Sequence, residues 1–203
     1  MKQRMGENIT REWKNDVRAN EIWDALLLSK ESGLQGIAAL SNIAESGSSL
    51  ATMYLGNMYL KGTDGISKNE NLGENLLVRS SQNGSIEGSY ILAFHYIETN
   101  KIDLGMKEYF HLSELNYFPA QFQLGYLYIT GDKIERDIDR AIHYFRLASK
   151  NGHFPSRHWL CHILMKERSS FFCWILGFTM KVVFTIPFIY TSVTYANSDR
   201  MRK

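Results

Sequence analysis

One stretch of the sequence, Ala120 to Gly152, contains two amphipathic helical patterns joined by a short polar turn. Apolar side chains between Phe122 and Tyr128 recur at helical spacing. Gly131 stands where a glycine commonly ends a helix, and Asp137 stands where an N-cap residue begins the next one. The stretch therefore predicts a hairpin of two packed helices.

Weaker copies of this hairpin precede and follow it. The leucine of the first helix recurs at positions 55, 92, 124 and 160, with intervals of 37, 32 and 36 residues. Differences in turn length account for such scatter around the period of a helix pair. A helix pair buries only one of its faces alone, so successive pairs must stack. An ordinary non-repetitive bundle is the alternative, and the Leu-Gly pairs at 55–56 and 124–125 argue against it.

The residues that recur are small, aromatic or turn-forming, and their spacing resembles the Sel-one-like repeat, a relative of the tetratricopeptide repeat. The resemblance implies an all-α solenoid of antiparallel helix pairs that acts through partners, in membrane-associated complexes or in envelope polysaccharide and stress pathways. The matching residues are Ala51, Leu55, Gly56, Tyr59 and Gly62 in one copy, and Ala120, Leu124, Gly125, Tyr128, Gly131, Ile134, Asp137, Ala141, Tyr144, Ala148 and Gly152 in the other.

We expect three regions along the chain. Residues 1–32 are predicted to be an N-terminal helical cap, in which a helix capped by Thr10 ends at Gly33. The repeat solenoid is predicted to occupy residues 33–167, and a membrane helix with a short basic tail residues 168–203.

Two copies depart from the pattern. The middle copy is degenerate, and its return helix is predicted to end at Asn116 instead of a glycine. The fourth copy is predicted to supply only a first helix before the composition of the chain changes.

The segment from Phe171 to Ala196 contains a single charge, Lys181, in 26 residues. As a helix it is about 39 Å long, enough to span a bilayer core of about 30 Å. Because the N-terminus has no apolar core, we expect a single-pass membrane protein with its repeats on the cytosolic side. The alternative is a buried or interfacial helix that closes the end of the solenoid.

The chain lacks the sequence signatures of catalysis. No glycine-rich phosphate loop, Gly-x-Ser-x-Gly elbow or His-Glu-x-x-His motif occurs. We therefore predict no enzymatic activity, no cofactor and no small-molecule substrate. The basic residues are scattered, which argues against nucleic acid as a partner. His158, Cys161 and His162 form the one cluster of metal-ligating residue types, and a zinc site needs four ligands, so we predict no metal site there.

Aromatic residues are concentrated on the predicted first helices, which line the concave wall of such solenoids. We predict a groove for a protein or peptide partner, because aromatic side chains anchor interfaces. The alternative is an accessory subunit of an envelope or polysaccharide-related membrane system, in which the C-terminal helix makes the contact through Lys181. The groove candidates are Asn57, Tyr90, His95 and Tyr126.

Overall fold

A computed structural model describes residues 7–63, 66–166, 174–175 and 177–183. These residues form helices α1 to α10 and a further C-terminal helical segment, residues 174–175 and 177–183, so the predicted all-α architecture of repeated helix pairs is confirmed. The helices are α1 (Glu7–Asn15), α2 (Ala19–Glu31), α3 (Gly33–Glu45), α4 (Ser49–Lys61), α5 (Glu70–Gln82), α6 (Ile86–Glu98), α7 (Ile102–Glu114), α8 (Phe118–Thr130), α9 (Ile138–Lys150) and α10 (Phe154–Lys166).

The chain divides into two compact units, and the boundary falls within α7. Asn8–Glu108 form the N-terminal unit, and the described residues from Tyr109 onward belong to the C-terminal unit. In the N-terminal unit α2 packs against α3, α4 against α5, and α4 also against α6. In the C-terminal unit α9 packs against both α8 and α10. Each unit is therefore built from helical hairpins.

Side-chain caps explain where several helices begin. The side-chain oxygens of Ser48, Asn69, Ser85 and Asp137 each accept a hydrogen bond of 2.9–3.0 Å from the backbone N–H three residues later. These bonds satisfy donors that the first turn of a helix leaves unpaired. Tyr117, which precedes α8, makes no such bond, and a proline lies in the first turn instead.

Left-handed residues end several helices. Gly131 stands at the end of α8 with φ of 70°, where a side chain other than glycine is strained. Asn116 follows α7 with φ of 58°, because asparagine tolerates this conformation better than most residues do. The predicted end of the middle copy at Asn116 therefore agrees with the structure.

The N-terminal region differs from the prediction. Thr10 lies inside α1 and not before its first residue, and the expected single helix is divided into α1 and α2. The division follows from Asp16, whose Oδ1 accepts a hydrogen bond from the backbone N–H of Arg18 at 2.8 Å and so stabilises a turn. Gly33 begins α3 and does not end α2; the close approach of these helices occurs at Gly36, where a Cβ atom would lie 2.7 Å from the carbonyl oxygen of Ala25.

Glycine allows close packing inside both of the best-formed hairpins. A Cβ atom at Gly56 would lie 3.0 Å from Cγ of Leu77 and 3.1 Å from the carbonyl oxygen of Gly73. At Gly125 a Cβ atom would lie 2.8 Å from the ring of Phe145. The other repeat-defining residues are placed as follows: Ala51, Leu55, Ala120, Leu124, Tyr128, Ala141 and Ala148 are buried, Tyr59 is half-buried, and Gly62 and Gly152 have φ of 69° and 90°.

The fourth copy has a return helix, contrary to the prediction. In the C-terminal helical segment, a Cβ atom at Gly177 would lie 2.8 Å from both the carbonyl oxygen of Cys161 and the Cγ of Met165. The same pair of contacts occurs in the N-terminal unit, where Gly73 meets Gly56 and Leu60. The C-terminal helical segment therefore packs on α10 as α5 packs on α4.

This segment is part of the predicted membrane helix. Among the described residues, none of the helices combines the length and the apolar character that crossing a bilayer requires. Residues 171–173, 176 and 184–196 of the predicted span lie outside the described part of the chain.

Candidate protein-binding surface

The hairpin contacts define an equivalent position on each first helix. We call Gly56, Ala93, Gly125 and Cys161 the packing positions, because they share one repeat register and face the return helix. The residue after each packing position is rotated by about 100° around the helix axis. These surface positions are Asn57 and Phe94 in the N-terminal unit, and Tyr126 and His162 in the C-terminal unit.

The surface positions carry exposed side chains. Phe94 is 48 % exposed and Tyr126 is 40 % exposed, although both are large and aromatic. His162 is also exposed, and Asn57 is half-buried. The sequence interpretation included Asn57 and Tyr126 but missed Phe94 and His162, which counting one residue beyond each packing position identifies.

Tyr126 belongs to an aromatic cluster in the C-terminal unit. Its ring lies 6.3 Å from Phe122 and 5.6 Å from Trp159, and Trp159 stacks on the buried ring of Phe145 at 5.8 Å. Trp159 also contacts His162 at 5.5 Å between ring centroids. The cluster fixes the exposed edge of Tyr126, so an arriving partner does not have to order it.

The other two groove candidates lie in different surroundings. The Nε2 atom of His95 lies within hydrogen-bond distance of the Glu74 carboxylate of α5, at 3.1 Å, and Lys101 approaches the same carboxylate at 2.6 Å. These contacts join α6 to the preceding return helix, so His95 has a structural partner within the N-terminal unit. Tyr90 is half-buried on α6.

Helix α1 covers part of the first-helix surface in the N-terminal unit. The Trp13 indole N–H donates a hydrogen bond to the Tyr54 hydroxyl at 3.1 Å, and the two rings lie 5.9 Å apart. Tyr54 precedes Gly56 by two residues, so it lies about 200° around α4 from the face that packs on α5. The sequence did not predict this contact, because the expected long N-terminal helix left no separate segment to make it.

Carboxylates fix both ends of this contact. Glu12 accepts hydrogen bonds from the Ser85 hydroxyl at 2.8 Å and from the backbone N–H of Glu87 at 3.1 Å. Asp16 accepts one from the Ser48 hydroxyl at 2.6 Å. Ser85 and Ser48 are the N-caps of α6 and α4, whose dipoles favour negative charge at these ends.

The position of Glu12 is unfavourable for the charged form of its carboxyl group. Burial raises the pKa of its carboxyl group above the usual value, and the nearby Glu87 carboxylate acts in the same direction. The hydrogen bonds from Ser85 and from the backbone at Glu87 act in the opposite direction but do not cancel the effect. The ionised Glu12 is thus held by directed bonds at a net desolvation cost.

The histidine–cysteine cluster of α10 is poorly suited to a metal. Burial raises the pKa of the Cys161 thiol, which keeps it protonated, whereas a metal ligand must be a thiolate. Burial, together with the Lys181 ammonium group, lowers the pKa of His158. Within the part of the chain that the structure describes, no three histidine, cysteine or acidic side chains converge on a metal-sized site.

The C-terminal helical segment has an apolar outer face. Gly177 faces α10, and five large apolar side chains elsewhere on the segment are between 39 % and 64 % exposed. These exposed residues are Trp174, Ile175, Phe178, Val182 and Val183.

Comparison with known proteins agrees with the hairpin geometry. Residues 49–85 and 118–153 match the family profile of the Sel1 repeat. These two segments contain the α4–α5 and α8–α9 hairpins, which are the two copies that carry the Leu-Gly pairs. The two hairpins are therefore similar to Sel1 repeats. No curated protein sequence matches the chain.

Solved structures show the same fold at low sequence identity. A Sel1 repeat protein from Oxalobacter formigenes has a TM-score of 0.61 and 21 % identity, over 77 % of this chain and 69 % of that chain. A protective antigen from uropathogenic Escherichia coli strains, which displays an SLR fold, has a TM-score of 0.60 and 20 % identity, over 79 % of this chain and 34 % of that chain. Pseudomonas aeruginosa protein 5086 has a TM-score of 0.53 and 19 % identity, over 82 % of this chain and 66 % of that chain.

Proposed function

We propose that the chain is a non-enzymatic scaffold that binds a protein partner on its first helices and is attached to a membrane by its apolar C-terminal segment. The observation that carries the proposal is the exposure of Phe94 and Tyr126 at the same repeat position. Large exposed aromatic side chains, preorganised by their neighbours, are typical anchors of protein interfaces. The similarity to Sel1 repeat proteins supports the same function.

Site-specific crosslinking tests the partner surface. A photoreactive phenylalanine analogue is placed in the full chain at position 94 or 126, and the protein is crosslinked in the cells that produce it. We expect each position to capture a protein partner. Matched controls are position 104, where Leu104 is also 48 % exposed but lies on the return helix α7, and position 143 on α9. Capture at the control positions in equal yield would contradict the proposed surface.

Membrane attachment is supported by the outer face of the C-terminal helical segment. An exposed apolar patch indicates a contact that covers it. The sequence continues with apolar residues to Ala196 and has basic residues on both sides, which suits a lipid surface with anionic headgroups. Trp174 and Phe178, whose rings stack at 5.5 Å, are residue types that insert well at such an interface.

Vesicle flotation tests the attachment. The double variant Phe178→Asp/Val182→Asp places two carboxylates on the apolar face, and we expect it to float at least tenfold less with vesicles of phosphatidylcholine and phosphatidylglycerol. The control Leu34→Asp/Leu104→Asp changes two exposed leucines on return helices of the N-terminal unit and should float like the wild type. Equal loss in both variants, or no loss in either, would refute attachment through this face.

A further inference from the structure

Helix α1 is a weakly held element of the N-terminal unit. It has nine residues, which is shorter than an isolated helix needs to be stable in water, so its helical form depends on docking. None of its side chains from Arg11 to Asn15 is fully buried. A cavity of about 350 Å³ lies at its C-terminal end and is lined by residues that include Glu12, Val17 and Ser46. The Trp13 ring contacts Trp23 at 6.1 Å and Tyr54 at 5.9 Å, but it remains half-buried. Segments whose side chains are not fully buried and which border an open pocket are the ones that open locally.

The residues that hold α1 are nevertheless specific. Trp13 docks on Tyr54 of α4, Glu12 docks on the N-terminal turn of α6, and Asp16 docks on the N-terminal cap of α4. Two acidic groups thus flank one indole, and each group meets a complementary donor or acceptor on a first helix. The Val17 side chain, in the turn that follows, is fully exposed, so the connection to α2 does not restrain the helix by burial.

We infer that α1 is a removable occupant of the surface formed by α4 and α6, and that it competes with a partner helix of the same chemistry, an acidic residue followed by tryptophan and a second acidic residue one turn later. The inference rests on the proposed function, because it assigns the partner class and the regulation of the first-helix surface. The docked helix α1 shows which side chains this surface binds. Because α1 is weakly held, a partner helix can replace it.

The covalent link sets the size of the competition. The connection from α1 to α2 is only the turn of residues 16–18, so α1 competes for its binding site intramolecularly, at an effective concentration on the order of mM or above. If α1 is docked for about nine tenths of the time, the apparent affinity of an external helix falls about tenfold. Variants that weaken the docking of α1 should therefore raise the apparent affinity for the external helix by about tenfold.

Peptide binding to the full chain tests the inference. The probe is a fluorescein-labelled peptide of residues 7–17, and its binding is measured by anisotropy. We expect the double variant Glu12→Ala/Trp13→Ala to bind the peptide at least tenfold more tightly than the wild type. The control variant Lys14→Ala changes an exposed residue of α1 and should bind as the wild type does. A peptide that itself carries both alanine substitutions should bind the double variant at least tenfold more weakly than the native peptide.

A variant that binds the native peptide no better than the wild type overturns the inference, provided that its circular dichroism and melting curve are native. A second measurement does not depend on the variant. In isotope-labelled wild-type protein, an excess of unlabelled peptide should accelerate amide exchange in α1 and leave α4 unchanged; unchanged exchange in α1 also overturns the inference. Because neither experiment uses a partner, a negative result here is distinct from a negative crosslinking result at positions 94 and 126.

Discussion

The α4–α5 and α8–α9 hairpins have the same repeat register, but different side chains fill the space between their two helices. At the packing position both use glycine, and the residue that meets this glycine is Leu77 in one hairpin and Phe145 in the other. In α4–α5 the second helix also carries a glycine, Gly73, so backbone approaches backbone. In α8–α9 the equivalent residue is Ala141, and an aromatic ring fills the space beside the glycine.

The difference shows what the repeat conserves. The volume between the two helices is filled in both hairpins, either by close backbone approach or by a large ring beside a glycine. In these two hairpins the residues on both sides of the packing position therefore fill one shared space.

The largest expected effect distinguishes packing around a phenylalanine ring from packing around a leucine side chain. Phe145 is fully buried and contacts both Phe122 at 5.7 Å and Trp159 at 5.8 Å. Phe145→Ala should lower the free energy of unfolding by about 3–5 kcal/mol, and Leu77→Ala by about 2–5 kcal/mol. Because the ring also supports Trp159, we expect the first loss to exceed the second in urea denaturation followed by circular dichroism. The reverse order would show that the aromatic cluster adds nothing to the hairpin.

An intermediate effect tests whether the residues on the two sides share one space. Gly125→Ala places a methyl group against the Phe145 ring and should cost about 1–3 kcal/mol, reduced by a gain in helix propensity of about 1 kcal/mol. Adding Phe145→Leu reproduces the side chain of the other hairpin and should rescue part of this cost.

The corresponding pair of substitutions in the α4–α5 hairpin is Gly56→Ala with Leu77→Ala. Here the added methyl group still meets the carbonyl oxygen of Gly73, so removing the leucine should give less rescue. A double-mutant cycle measures both coupling energies. Equal coupling in the two hairpins would contradict the distinction between ring packing and backbone approach.

The smallest effect concerns a feature that the two hairpins share. Asn69 caps α5 and Asp137 caps α9 through bonds of 3.0 and 2.9 Å. Replacing either residue with alanine should cost about 1 kcal/mol, and the two costs should agree within about 0.5 kcal/mol. Amide exchange in the first turn of each helix provides the measurement. Unequal costs would mean that the ion pair between Asp137 and Arg140, at 3.2 Å, contributes beyond the cap.

Much of the architecture could be predicted from the sequence because a glycine inside a helical pattern usually marks close packing of two helices. Gly56 and Gly125 implied close helix packing, and both lie where a Cβ atom would meet the return helix. The break between α1 and α2 was missed because no glycine or proline marks it; the signal was Asp16, whose side chain stabilises the turn. Sequence alone could not show that α1 folds back onto α4.

The return helix of the fourth copy was anticipated only in the alternative of a buried helix that closes the end of the solenoid. Counting along the return helices from Gly73, Gly105 and Ala141 leads to Gly177, which has the same contacts. The apolar composition of the segment favoured a membrane helix, so the repeat spacing was not extended to Gly177. Of the groove candidates, His95 was chosen for its place on a first helix, but its ring already lies 3.1 Å from the Glu74 carboxylate on the neighbouring helix.

The packing of the C-terminal helical segment on α10 has a practical consequence. Shortening the chain after Lys166 removes this segment, whose Gly177 lies against the backbone of Cys161. Such a fragment would expose to water the face of α10 that the segment covers, which includes the buried Cys161. Experiments on this region should therefore retain the segment.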